Sequence, residues 1–324
     1  MTKFKTIIRP LIKKTFEFSL SFIPQISRLI KHGLTVFVFH EVSDHPSPFS
    51  IEYGLSVSRE TFYRQVSWIK SNFKVIHPDD ILKEARLPEN AAMISFDDGF
   101  LSTFENGLPI LDKMGLPSVI FLNMKAILEH TPILSATACY LNRYVPNFSI
   151  FMNSEGLSPP FHLSLSPSIL DSFIKRYGLI NKDSVLSYQG HFANLKTLQC
   201  WKNRNIVVYG NHLYDHWNAP TLNPDEFIDQ YIKNEEELRH LNNRINLFAF
   251  TNGRPETCFS YRELNILKKL GAKKVFSATM GVNLNSSKYL LGRISLSESD
   301  NDESKLLFQV GRAIISNILH KEKK

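Results

Sequence analysis

The stretch Ala92-Met93-Ile94-Ser95-Phe96-Asp97-Asp98-Gly99-Phe100 constrains this chain more than any other, because it reads as a buried strand that delivers two adjacent carboxylates at its C-terminal end. Like charges at that spacing cannot both stay ionised and unpaired in a dry site, so one of them needs a cation or a shifted pKa. A metal ion would supply the cation. The competing reading is a simple turn, since Asp-Gly after a strand is common turn chemistry. The stretch alone leaves both open.

Strand and helix alternate around it. Thr35–Phe39 is apolar and β-branched and runs into His40-Glu41-Val42, which sets a histidine at a strand end. Ser58 should cap a helix whose face carries Phe62, Val66, Ile69 and Phe73, followed by a short strand at Lys74–Ile76. After the two aspartates come a helix closing near Gly115 and a strand over Ser118–Leu122. From about residue 125 to 204 the rhythm gives way to Ser, Pro and aromatic residues, with helices expected near Leu134–Tyr144 and Ser168–Tyr177. That is too long for one loop, so it reads as a helical insertion placed to shape a substrate site.

Order returns with a strand at Asn205–Tyr209 and a helix from Asn223-Pro224 with Glu226 at the capping-box position. Then follow a strand at Leu247–Phe250, a helix boxed by Ser260 and Glu263 and closed by Gly271, and a strand at Lys274–Ser277. Seven or eight strands alternating with helices predict a parallel α/β sheet or a closed βα barrel. In either, functional groups gather at strand C-termini, where His40, Asp97, Asp98 and the residues after Tyr209 and Phe250 fall.

After Tyr209 comes Gly210-Asn211-His212-Leu213-Tyr214-Asp215-His216. Two histidines four apart would share one side of a helical turn, and a single metal could take a nitrogen from each. The HxxxH spacing by itself is weak. Beside an acidic pair ending another strand, it suggests three ligands and an open position, and two imidazoles with one carboxylate are a known catalytic zinc set. The second carboxylate is then free to be a base.

At this point the chain resembles the polysaccharide deacetylase superfamily, also described as NodB-homology carbohydrate esterases, in its circularly permuted branch. Ser95-Phe96-Asp97-Asp98-Gly99 resembles the first motif and His212-x-x-x-His216 the second. Leu247-Phe248-Ala249-Phe250-Thr251-Asn252-Gly253 is similar to the third, usually written F-A-Y-P-Y/F-G, and Val38-Phe39-His40-Glu41-Val42 resembles the Y-H-x-V strand of the permuted branch. The resemblance implies a distorted βα barrel of seven or eight units, with one divalent metal, zinc first, held by Asp98, His212 and His216. Asp97 would be the general base and His40 the general acid. Departures stand beside these matches. Leu213 replaces the usual Ser or Thr, so histidine orientation must be fixed by another group. Thr251-Asn252 replaces Pro-Tyr, leaving Asn252 and Gly253 as candidates for oxyanion or substrate contact. Arg254 and Arg293 are alternative partners for Asp97, and Asp215 and Trp217 flank the histidines as a solvated acid and a packed ring, or as substrate contacts.

The net charge of +7 suggests nucleic acid until it is located. Residues 1–32 hold Lys3, Lys5, Arg9, Lys13, Lys14, Arg28 and Lys31 against Glu17, so nearly all the excess lies there. With Ile7, Ile8, Leu11, Ile12 and Phe16 between the cations, residues 1–33 read as a basic amphipathic arm. Such an arm suits an anionic membrane surface, contacted peripherally through residues 1–30, or packs on its own domain. A cationic arm without a stacking platform does not point to nucleic acid. Nothing reads as a cleavable leader or a span of roughly 20 apolar residues, and the odd cysteines Cys139, Cys200 and Cys258 have no metal-ligand spacing. The expectation is a cytoplasmic enzyme, peripheral at the inner membrane face, with a catalytic domain over 34–302 and a C-terminal helix and basic tail over 303–324. It would remove an N-acyl group, acetyl first and formyl as the alternative, from an amino sugar of a surface-polysaccharide or glycolipid precursor. A catalytically inactive carbohydrate-binding relative is the reading from another class.

Overall fold

The computed structural model describes residues 31–83, 86–201 and 205–321, so residues 1–30 of the expected arm over 1–33, and with them the expected membrane contact, lie outside the described residues. The strands are β1 (Leu34–Phe39), the short β2 (Glu41–Val42) and β3 (Ser56–Val57), β4 (Lys74–Val75), β5 (Ala91–Phe96) and β6 (Ser118–Leu122). They continue with β7 (Val207–Asn211), β8 (Arg244–Ala249), β9 (Lys274–Phe276), β10 (Leu290–Leu291) and β11 (Ile294–Ser295). One parallel sheet runs β10-β9-β8-β7-β6-β5-β1-β11, with β4 beside the first half of β5, and β2 pairs with β3 separately. Every residue of β1 and β5 is buried, which is why both read as continuous apolar runs and not as alternating ones.

The edge strands β10 and β11 are separated in the chain only by Gly292 and Arg293. A gap of that length spans at most about 11 Å, so the sheet has curled until its two edges nearly meet, as the expected distorted barrel requires. Asn283 ties the seam. Its Nδ2 donates to Leu34 O at 3.1 Å and Gly292 O at 2.9 Å, and its Oδ1 accepts from Gly292 N at 2.8 Å. Position 292 admits only glycine, because a Cβ would lie 2.5 Å from Thr279 O.

Capping chemistry sets the surrounding helices. Ser58 Oγ accepts from Thr61 N at the start of helix Arg59–Asn72, which buries Phe62, Val66 and Ile69 along one face. The Phe62 ring lies 5.0 Å from Phe39 and 5.8 Å from Phe96, joining helix to β1 and β5. Capping boxes open Pro224–Leu238 at Asn223/Glu226 and Tyr261–Lys269 at Ser260/Glu263. The last helix, Glu303–Lys321, sinks Leu306, Val310, Ala313 and Ile314 into the same core.

Two expectations shift. The strand expected at Asn205–Tyr209 is β7, two residues later, because Gly210 and Asn211 belong to the sheet. A Cβ on Gly210 would stand 2.6 Å from the Phe121 ring, so this position needs glycine to let β6 and β7 approach. The insertion is more helical than its sequence suggests. Leu134–Tyr144 and Pro167–Tyr177 fall where expected, joined by Met124–Glu129, Pro146–Ser154, Lys182–Gln189 and Leu195–Trp201. Its small core is aromatic, with Phe173 set 5.2 Å from Phe148, 5.4 Å from Phe151 and 4.9 Å from Tyr177. Among the described residues no helix is long and apolar enough to cross a membrane.

Candidate active site

Where β5 ends, Asp98 (φ 71°) and Gly99 (φ 94°) turn the chain through the left-handed region. A Cβ at Gly99 would stand 2.8 Å from Leu122 Cδ2, so only glycine follows the acids comfortably. The turn sends the two carboxylates to different partners.

Asp97 goes to Arg293. The guanidinium Nη1 and Nη2 donate to Oδ1 and Oδ2 at 2.6 and 2.7 Å, a bidentate pair in which Asp97 is 4% and Arg293 3% exposed. Burial pushes the Asp97 pKa up, but Arg293 and the neighbouring His212 more than offset it, and the carboxyl sits below its ordinary value. The β1–β5 register aligns Phe39 with Phe96, so His40 follows beside Asp97, with Nε2 3.9 Å from Asp97 Oδ2. Burial lowers the His40 pKa, and the attraction of Asp97 and Asp98 only partly restores it.

Asp98 goes to the histidines. Its Oδ1 lies 3.4 Å from His212 Nε2 and 3.1 Å from His216 Nε2, with all three residues buried. These contacts are short, yet Oδ1 makes no hydrogen bond of acceptable geometry among the described residues. The far ring nitrogens have partners of their own. His212 Nδ1 donates to Ala249 O at 2.8 Å, so this nitrogen carries a proton and Nε2 is the ring atom turned towards Asp98. His216 Nδ1 lies 2.9 Å from Ser135 Oγ. One carboxylate oxygen and two imidazole nitrogens, all within 4.8 Å of one another, converge as a donor set that fits a divalent metal such as zinc. Burial opposes ionisation of Asp98, but His216 and His212 hold its carboxyl well below the usual range.

The histidine loop is not the helical turn its spacing suggests. Leu213 (φ 62°) and His216 (φ 53°) both lie in the left-handed region, and buried asparagines replace the missing helical ladder. Asn211 Oδ1 accepts from Leu213 N at 2.9 Å, Asn123 Nδ2 donates to Leu213 O at 2.9 Å, and Asn234 Nδ2 braces Asn211 at 2.8 Å. Leu213 itself is fully buried in apolar packing.

In the third-motif loop, Gly253 (φ 68°) donates its N–H to Thr251 O at 2.6 Å, and a Cβ there would stand 2.7 Å from Ala278 N. Its role in the structure is to shape the loop. Asn252 (φ 59°) lines the cavity, and its buried Nδ2 has no partner among the described residues. Arg254 is exposed at the rim, so of the two arginines it is Arg293 that holds Asp97. Asp215 pairs with Lys125, and Trp217 is packed in the core.

His40, Asp97, Asp98, His212, His216, Asn252 and Arg293 share a cavity of about 340 Å³. Phe49, Tyr53 and Leu55 line it from the segment after β2, and Ser135, Cys139 and His162 line it from the insertion. Burial, with His216 nearby, lowers the His162 pKa to about 4, and burial pushes the Cys139 thiol up to about 12. Neither is charged at neutral pH. No motif marks these insertion residues, and only the fold brings them to the site.

A family model described as Polysaccharide deacetylase matches residues 84–275. YxkH of Bacillus subtilis (strain 168), whose name assigns it provisionally to the polysaccharide deacetylases, is 24% identical over 99 residues. That match takes in 29% of this chain and 33% of YxkH, so the chain spans about a third of this curated relative. IcaB from Ammonifex degensii superposes with a TM-score of 0.57 at 17% identity, over 86% of this chain and 97% of its own. The Streptococcus pyogenes deacetylase PplD, solved in complex with acetate, gives 0.58 at 13% identity, over 86% and 98%. At such identities these two structures establish a shared fold.

Proposed function

The chain belongs to the polysaccharide deacetylase family, and from that premise we propose that it is a metal-dependent hydrolase removing an N-acyl group, acetyl first, from an amino sugar. The observation that carries this reading is the convergence of Asp98 Oδ1, His212 Nε2 and His216 Nε2 beside an arginine-clamped Asp97 and His40. A divalent ion on those three atoms, zinc first, would polarise the acyl carbonyl and make water acidic enough to attack near neutral pH.

The remaining steps fall to this chain's own groups. Asp97, kept ionised by Arg293, accepts the proton of the attacking water, each carboxylate oxygen having a lone pair beyond the one given to the guanidinium. His40 Nε2, 3.9 Å from Asp97 Oδ2, is placed to deliver a proton to the departing amine. The unpartnered Asn252 Nδ2 is a donor for the developing oxyanion or for a sugar hydroxyl. Phe49 and Tyr53 offer apolar faces to the sugar ring. In this reading the substrate is a surface-polysaccharide or glycolipid precursor, met at an anionic membrane surface through residues 1–30. Acetyl and formyl differ by one methyl, a discrimination of only roughly 1–3 kcal/mol, so formamido sugars are the alternative substrates.

Assaying acetate and formate release from free and carrier-linked N-acyl amino sugars, with the zinc-loaded protein, tests the proposal. Release of either acid, abolished by a chelator and restored by zinc, is expected. Saccharide binding by the zinc-loaded protein without release of either acid would instead mark a carbohydrate-binding relative.

A further inference from the structure

The two histidines are held in unlike ways. His212 is fixed by a carbonyl of the barrel, since Ala249 ends β8 and accepts from Nδ1 at 2.8 Å. Among the described residues His216 has no such backbone anchor. It sits at φ 53° on the irregular loop, where Leu213 is wholly buried among apolar side chains and offers no hydroxyl. Its Nδ1 is met by Ser135 Oγ at 2.9 Å, with Ser135 5% and His216 6% exposed.

We infer that Ser135 is a positioning residue for the metal centre, through which the insertion sets the ring orientation and tautomer of His216. This rests on the metal-site reading above. When Nε2 is the ligand atom, Nδ1 carries the proton and donates it to the serine oxygen, so the hydroxyl fixes both the ring plane and the protonated nitrogen.

For such a role Ser135 must itself be immobile, and its surroundings meet that demand. It is the second residue of helix Leu134–Tyr144, between buried Leu134 and Ala136. The residue before the helix, Ile133, donates its N–H to the buried Gln189 side chain at 2.6 Å. The far end of the insertion is fastened to the aspartate turn. Ala193 N donates to Gly99 O and Leu101 N to His191 O, each at 2.9 Å, and the Phe100 and Phe192 rings lie 4.7 Å apart. The insertion therefore grips the Asp98 turn with one end and His216 with the other. That arrangement couples the helical insertion to ligand geometry, and a passive cover would need neither attachment.

Zinc affinity, read by competition with a chromophoric chelator, and the visible spectrum of the cobalt(II) form test this in the full chain. Ser135→Ala is expected to weaken zinc binding about 10–100-fold and to shift the cobalt bands, while the thermal midpoint of the metal-free protein stays near that of the wild type. Ser135→Thr should restore affinity and Ser135→Val should not, so the hydroxyl is isolated at nearly constant shape even if alanine perturbs folding. Wild-type affinity and an unchanged cobalt spectrum in both Ser135→Ala and Ser135→Val would overturn the inference, including the case where only the midpoint falls. Failure of the wild type to bind zinc at all would instead overturn the metal-site reading on which it stands.

Discussion

Replacing Asp97 by asparagine is expected to lower turnover by about 10²- to 10⁴-fold while leaving the metal content of the protein intact. The substitution keeps the shape of the side chain and one acceptor oxygen for Arg293, and it touches none of the three converging ligand atoms. What it removes is the site that takes a proton. Acyl-release kinetics and elemental analysis on the same sample check the split. Full turnover in Asp97→Asn, or loss of metal together with turnover, would mean that Asp97 is not the base.

Arg293→Met should be more damaging to the fold than to any single chemical step. Removing one member of a buried, bidentate pair leaves the other as an uncompensated charge, which typically costs about 3–5 kcal/mol. In the parent, burial pushes the Asp97 pKa up, but the Arg293 guanidinium more than offsets it and holds the carboxyl below its ordinary value. The pair's contribution is therefore fully present above about pH 4 and lost as pH falls through the folded value. Without Arg293, burial raises the Asp97 pKa. Relative to the parent, the variant then gains stability as pH falls towards 4, and the acidic limb of its activity profile moves to higher pH. Urea unfolding and pH–rate profiles measure both. The double variant Asp97→Asn/Arg293→Met is expected to recover much of the stability and none of the activity. A single Arg293→Met variant with parental stability and an unmoved acidic limb would contradict this account of the pair.

The strand ends were legible because their signals are local. β5 announces itself as an apolar run ending in Asp-Asp-Gly, and His40 ends another run whose parallel pairing carries it to the same rim. Ser58, Asn223/Glu226 and Ser260/Glu263 mark helix starts by side-chain chemistry that acts over three residues. Groups brought together by closure of the sheet left no such trace. Arg293 reaches Asp97 across 196 positions, and only the two-residue seam between β10 and β11 turns it inward in preference to Arg254. The spacing of His212 and His216 misleads, because residues four apart share a face only when the backbone between them is helical. Here Asn211 at the end of β7, Asn123 just after β6 and Asn234 from the helix Pro224–Leu238 hold a left-handed path. Ser135 was illegible for the same reason, since its partner lies 81 positions away.

The most direct test of the central claim is metal content, measured on purified wild-type protein beside His212→Ala and Asp98→Asn, with acetate and formate release assayed on the same samples. The structure predicts about one divalent ion per chain in the wild type, lost in both variants together with acyl release. A folded wild type that takes up no metal when zinc is supplied, or a variant that loses its metal and still releases acid, would contradict it.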